Sequence, residues 1–399
     1  MSKLVPRPQF LERLIKFREV DVIKVVTGVR RCGKSTLFDL YIEHLKNSGV
    51  EESRIIHINL EDIGMERLHD YKVLNEYLVS KLQNDVMNYI FIDEVGRCAG
   101  FEKTVDSIYI KKNTDVYLTG SNADLLSGEI ATLLSGRYVE IKMLPFSFAE
   151  FYAASENKDK NQAFADYLNT GSLPVVATRL RSDMALTDQY LEGIYNTIIV
   201  KDVVARKGVG DVSLLKNIVK YLSGNIGSPI STANITGYIN NTGRKITQKT
   251  VDRYVKALVD SYLFYSVERY NIKGKNLLKT LGKYYIIDTG LRNHLLSSTN
   301  SDVGHQIENI VYLELLRRGY RVNIGKIDEK VIDFVAAIQN TKEYYQVSMS
   351  ALDESVKNRE LDPLRKVSDN YPKYLLTLDS FAGDDEGIKQ INLIDWLLT

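Results

Sequence analysis

An α/β fold is what this sequence of 399 residues predicts: a parallel sheet with helices on both faces, then a helical connector, a winged helix-turn-helix and a second, small α/β domain. Three observations carry that expectation. Short apolar runs alternate with helical patterns through the first third, a basic pattern of short helices and a hairpin begins near Ser228, and strand-like runs return after Gly304. The chain is longer than one ordinary core requires, and 44% hydrophobic against 26% charged residues is globular composition. Several packed domains are therefore expected. No apolar run reaches the roughly 18 residues of a membrane span, and MSKLVPRPQF lacks the apolar centre of a signal peptide, so a cytoplasmic chain without a membrane partner is expected. Cys32 and Cys98 are too few for a disulfide framework or a zinc site.

The elements follow in order. Ile23–Val29, Ile55–Leu60, Tyr89–Val95, Val116–Thr119 and Tyr138–Met143 read as buried strands, and their alternation with helices implies parallel pairing. From about Ala149 to Ser223, Leu, Ile, Tyr and Val recur at helical spacing, with a break at Gly171-Ser172-Leu173-Pro174. A helix from Thr247 to about Asp260 places Val251, Tyr254, Val255, Leu258 and Val259 on one face. Leu263–Tyr270 and Lys283–Ile287 then form a hairpin around Lys273-Gly274-Lys275. The last segment predicts a helix after Gly304, strands at Arg321–Ile324, Val331–Ile338, Tyr344–Val347 and Tyr374–Leu378, and a helix near Asp353–Asp369. The expected boundaries are 1–150, 151–225, 226–297 and 298–399.

Gly28-Val29-Arg30-Arg31-Cys32-Gly33-Lys34-Ser35 matches G-x-x-x-x-G-K-[ST], and it lies between an apolar strand and a helix that begins near Thr36. In that context the glycines free backbone N–H groups to face phosphate, Lys34 reaches the β- and γ-phosphates, and the Ser35 hydroxyl ligates Mg²⁺. ATP and Mg²⁺ are the expected ligands. Tyr89-Ile90-Phe91-Ile92-Asp93-Glu94 is an apolar strand ending in two carboxylates, which assigns Asp93 to Mg²⁺ and Glu94 to polarising the attacking water. Such work implies hydrolysis. Asn122, with Ser121 as the close alternative, follows a third strand where a polar group reaches the γ-phosphate. Arg137 either stabilises transition-state charge in its own or a neighbouring site, or forms an ordinary pair with a carboxylate. Oxidation or alkylation of Cys32 would block the loop if it is exposed, against an inert filler as the simpler reading.

Between Ser228 and Lys283, ten Lys or Arg residues face Asp252, Asp260 and Glu268, a local charge of +7 in a chain of net charge +1. Gln248, Lys249, Arg253 and Lys256 lie off the apolar stripe of their helix, and Lys273 and Lys275 sit at the hairpin turn. That is the footprint of non-sequence-specific DNA binding, or of a lid or spacer with a solvated basic face.

These motifs resemble the AAA+ superfamily, and more closely the DUF4143-type ATPases, in which a five-stranded AAA core precedes a winged helix and a nuclease-like domain. The resemblance rests on GVRRCGKST, FIDEV, TGSNADLL, LSGRYVEIKMLPFSFAEF, the Lys201-Asp202 helix, KYYIIDTGLR and GHQIENIVYLELLRRGY…VIDFV…YYQVS, which span nearly the whole chain. It implies an ATPase that assembles as a homo-oligomer or ring. Gly96 stands where a glutamine is common, which leaves any coupling through that side chain in doubt. The C-terminal domain resembles the PD-(D/E)XK nuclease fold, with Glu308 and Asp333 at the first two acidic positions and Gln346-Val347-Ser348 where an acid-x-Lys pair is usual. Independent cleavage is not expected without that acid and lysine. The leading functional expectation is ATP turnover coupled to binding or remodelling of duplex or branched DNA. The alternatives are an ATP-dependent switch or scaffold that recruits a protein partner, and an ATP-gated nuclease.

Overall fold

The computed structural model describes residues 5–126, 134, 136–155, 159–205, 208–297 and 302–399. They form two compact units: the described residues up to Met143 with Asp260–Tyr262, and Leu144–Val259 with Leu263–Thr399.

The first unit holds β1 (Ile23–Thr27), β2 (Ile55–Asn59), β3 (Asn88–Asp93), β4 (Thr114–Gly120) and β5 (Tyr138–Lys142), all paired in parallel in the order β2-β3-β4-β1-β5. All five expected strands are present. Four end before their apolar runs, and two of these stop two residues short because the backbone turns at Gly28 (φ 153) and at Glu94 (φ 52), so Val29 and Val95 belong to the turns. Helices α1 (Pro8–Lys16), α2 (Lys34–Asn47), α3 (Tyr71–Lys81) and α4 (Phe101–Tyr109) complete the unit. Strand periodicity divides the core. Ile90 and Ile92 of β3, with Val116 and Leu118 of β4, pack against Leu74 and Leu78 of α3 and Val105 and Ile108 of α4. The intervening Phe91 points the other way, stacking on Tyr117 at 4.7 Å and meeting Phe38 and Tyr41 of α2 edge-on. Both faces are thereby covered, at about 1.5–3 kcal/mol per large apolar side chain buried. The strand ends are held where the site lies.

The second unit carries helices α5 (Phe148–Ala154), α6 (Lys160–Thr170), α7 (Met184–Thr197), α8 (Val212–Gly224), α9 (Thr232–Asn241), α10 (Gln248–Asp260), α11 (Thr289–Leu296), α12 (Val303–Arg317), α13 (Glu354–Arg365) and α14 (Leu393–Leu398). Ser147 and Glu150 form a reciprocal capping box that starts α5. Val176–Leu180 and Ile198–Val204 are π-helical, so the 3.6-residue period fails there, including at Lys201-Asp202.

Eight strands make the second sheet: β6 (Phe264–Asn271), β7 (Asn276–Ile286), β8 (Arg321–Ile327), β9 (Lys330–Ile338), β10 (Thr341–Val347), β11 (Lys373–Thr377), β12 (Gly383–Asp385) and β13 (Ile388–Asn392). Their order is β12-β13-β11-β10-β9-β8-β6-β7. The β6–β7 hairpin, expected to be the wing of a separate 226–297 domain, pairs in parallel with β8 through Arg269 and Ile324 and forms one edge of this sheet. The divisions at 225/226 and 297/298 therefore fall inside one compact unit. Main-chain pairing across some 55 residues leaves no mark on local composition.

Candidate nucleotide-binding site

The loop after β1 has the backbone its sequence requires. Gly28 and Gly33 adopt φ 153 and 102, and Arg31 adopts φ 63. A Cβ on Gly28 would lie 2.2 Å from the Met143 carbonyl oxygen, so only glycine fits. Gly33 caps α2 with no side-chain cap bond, and no acidic residue occupies the first turn of that helix. Uncapped first-turn N–H groups and the positive end of the helix dipole suit an anion. Lys34 is buried, with Nζ 3.1 Å from the Gly28 carbonyl, 3.3 Å from that of Val29 and 3.4 Å from Glu94 Oε1. Its ammonium thus lies inside the loop.

β4 lies between β1 and β3, so its end links the two halves of the site. Thr119 is the joint: its Oγ1 donates to Asp93 Oδ1 and accepts the Glu94 N–H at 2.8 Å. This fixes the Asp93 carboxylate and the turn that carries Glu94. Glu94 itself is a non-glycine residue in the left-handed region, at a cost on the order of 1 kcal/mol or more. Ser121 and Asn122 are both buried just past the end of β4, and Ser121 Oγ has no hydrogen-bond partner among the described residues.

A nucleoside triphosphate fits this donor set. The loop amides and Lys34 would take the phosphates, and Ser35, exposed in the first turn of α2, and Asp93 offer the oxygen ligands that Mg²⁺ prefers. The other loop residues hold the loop itself. Arg30 pairs with Glu61 at 3.1 Å, which also takes Arg97 at 3.2 Å, while Arg31 is exposed and Thr36 half-buried.

The sequence left two readings open for both Arg137 and Cys32. Arg137 precedes β5, its carbonyl accepts from the Ile23 N–H at the start of β1, and its guanidinium pairs with Asp106. The loop leaves the opposite end of β1, about 13 Å away along the strand. Of the two readings, the carboxylate pair is what forms. Cys32 is fully buried, and burial pushes its thiol above the ordinary range, so it is not the exposed reactive thiol considered from sequence. Thiol alkylation under native conditions is expected to leave ATP hydrolysis within about twofold of the untreated rate, with Cys32 unmodified by peptide mass mapping.

Residues that motif reading missed support the loop from outside. The buried Arg7 donates to the Cys32 carbonyl at 3.0 Å and lies over Phe10. Glu140 Oε1 accepts from Thr27 Oγ1 at 2.7 Å and from the Tyr262 hydroxyl at 3.3 Å, bracing the last residue of β1. Arg7-Pro8 alone signals only a helix start.

On α10, Gln248, Lys249, Arg253 and Lys256 are all exposed, and Gln248 Nε2 donates to Thr232 at 3.1 Å. The wider basic count shrinks in three dimensions. Lys273 pairs with Asp328 at 2.6 Å, Arg244 with Asp211 at 3.1 Å, and Lys283 is buried. Lys273 and Lys275 line a surface cleft with Lys342, Lys366, Asp369 and Tyr371.

In the second unit Glu308 of α12, Asp333 of β9 and Gln346 of β10 come together around Lys283 and the Asp333 backbone. Ser348 does not join them, since its hydroxyl donates to the Ser350 carbonyl at 3.0 Å. Lys283 of β7 does, with Nζ 2.7 Å from Glu308 and 3.2 Å from Asp333. Burial works against its charge, but the two carboxylates hold the ammonium above its ordinary pKa. Burial and Glu308 push Asp333 up to about 6, opposed by Lys283.

Fold and site together define a P-loop ATPase fold with an AAA domain, whose family description matches residues 21–152, followed over residues 161–302 by a domain of unknown function designated DUF8612. An uncharacterized protein of Haemophilus influenzae is 36% identical over 405 residues, covering all of both chains, and one of Methanocaldococcus jannaschii is 29% identical over 98% of this chain and 89% of its own. The chain belongs to the family of that Haemophilus influenzae protein. A Walker-type ATPase of Pyrococcus abyssi shares the fold at TM-score 0.52 and 15% identity, covering 73% of this chain and 96% of its own. Among the described residues, no helix is long and apolar enough to cross a membrane.

Proposed function

We propose that this chain binds and hydrolyses ATP with Mg²⁺ at the Gly28–Thr36 loop, and that turnover is coupled to non-sequence-specific binding or remodelling of duplex or branched DNA by a homo-oligomer. The convergence of Lys34, Asp93 and Glu94 at the C-terminal ends of the central strands, with Thr119 joining the two acids, carries the ATPase reading. In the resting site Glu94 is paired with Lys34, and the arrival of a γ-phosphate draws Lys34 away and frees Glu94 to accept a proton from the attacking water. Ser35 and Asp93 would hold Mg²⁺, which would supply positive charge to the phosphates. Asn122 or Ser121 orients the γ-phosphate or the water. Arg137, at the far end of the sheet, serves only a neighbouring subunit if it serves a nucleotide at all.

The exposed basic face of α10 supports DNA contact. The ion pairs that partly neutralise Lys273 and Arg244, and the burial of Lys283, weaken that footprint and leave room for a switch that recruits a protein partner. Steady-state ATP hydrolysis with and without single-stranded, duplex and four-way-junction DNA separates the two: several-fold stimulation, greatest on branched DNA, supports remodelling, and no effect supports the switch. If DNA is bound, Lys249→Ala with Arg253→Ala is expected to lower affinity alike across sequences and to reduce the slope of log affinity against log salt by about 2.

A further inference from the structure

We infer that the Lys283 ammonium stands where Glu308 and Asp333 would otherwise hold a divalent cation, so that this cluster is a metal-free lock fastening the β6–β7 hairpin to the second sheet. The residues do not fit a metal. Two carboxylates from a helix and a strand converge as they would on a cation, but the space between them holds Nζ, 2.7 Å from one and 3.2 Å from the other. An ion that binds its oxygens at about 2.0–2.2 Å cannot share that space with the ammonium.

Each carboxylate takes a further hydrogen bond besides Lys283. Glu308 Oε1 also accepts the Tyr285 hydroxyl at 2.5 Å, and Asp333 Oδ2 accepts the Val347 N–H at 3.0 Å. Gln346 does what a carboxylate could not: its oxygen accepts the Asp333 N–H at 3.3 Å while its amide donates to Glu360 at 2.9 Å. Among the described residues, no group of three or more His, Cys, Asp or Glu is placed to hold a metal ion.

The lock reading explains why the lysine comes from β7. Next to Glu308, Asn309 of α12 clamps the same strand, accepting the Ile286 N–H at 2.8 Å and donating to the Ile286 carbonyl at 2.9 Å. Adjacent residues of one helix thus grip β7 by charge and by a paired amide. Gly227 lies against the cluster, where an added Cβ would sit 2.8 Å from His305 Cδ2 and 3.2 Å from Glu308 Oε2, so a larger residue there would crowd Glu308.

The test is Mn²⁺ binding to the full chain without nucleotide, followed by electron paramagnetic resonance and by thermal unfolding. Wild type is expected to leave Mn²⁺ free at 1 mM and to show the same Tm in Mn²⁺ and in EDTA. Lys283→Ala is expected to gain one Mn²⁺ per chain and a Tm raised by Mn²⁺, both lost again in Lys283→Ala with Asp333→Asn. A wild-type Mn²⁺ signal abolished by Asp333→Asn overturns the inference and makes Lys283 a migrated nuclease lysine, as does Mn²⁺-dependent DNA nicking lost in Asp333→Asn. Should Lys283→Ala fail to fold, the wild-type arms decide alone. A properly folded Lys283→Ala that gains no Mn²⁺ also overturns it.

Discussion

Replacing Glu94 by glutamine is expected to lower steady-state ATP hydrolysis by about 10²–10⁴-fold while leaving ATP affinity within a few-fold of wild type. The magnitude is that of removing a positioned general base, which glutamine matches in shape but cannot match as a proton acceptor. The backbone should not change, because Glu94 is held at φ 52 by its own N–H bond to Thr119, which the substitution does not touch. Affinity should be nearly preserved because the Lys34 pair it loses, at 3.4 Å, belongs to the resting site and competes with phosphate for the lysine. A colorimetric phosphate assay beside titration with a fluorescent ATP analogue reads both quantities. Turnover that survives the change would assign the proton acceptor elsewhere, and a parallel loss of affinity would make Glu94 part of the cradle.

Gly28→Ala is expected to abolish nucleotide binding and to destabilise the first unit. The added Cβ would stand 2.2 Å from the Met143 carbonyl oxygen, where about 3.0 Å is the practical minimum. That oxygen has little freedom to retreat, because the Met143 N–H donates to the Thr27 carbonyl at 2.7 Å and β5 is paired with β1 along its length. Nor is a φ of 153 one that alanine adopts readily. Overpacking of this kind costs about 1–3 kcal/mol, which in a unit of this size corresponds to a Tm lower by several degrees. Thermal unfolding with and without ATP and Mg²⁺ tests both parts: a lower apo Tm and no upward shift with nucleotide. A nucleotide shift of wild-type size would show that the loop reaches its bound form without glycine at this position.

How much was legible beforehand varies with the range of the interaction. Gly28, Gly33, Lys34, Ser35, Asp93 and Glu94 were readable because phosphate and Mg²⁺ chemistry demands those residue types at short spacing on a strand–loop–helix and a strand end. The five strands were readable because a sheet buried on both faces needs unbroken apolar runs. Thr119 and Arg7 were not, since a threonine inside a strand and an arginine before a proline have no local signature and act only across 26 and 25 residues respectively.

Sequence alone therefore determined the P-loop motif, the strand count of the first sheet and the expectation of an acid pair at Glu308 and Asp333. Tertiary structure decided that Arg137 pairs with Asp106, that Cys32 is buried, that the hairpin belongs to the second sheet and that Lys283 fills the space between the two acids. The physical reason is the same in each case. Register, burial and ion pairing depend on which distant segments meet, and the free energy that brings them together is spread over whole cores, so no short window of residues records it.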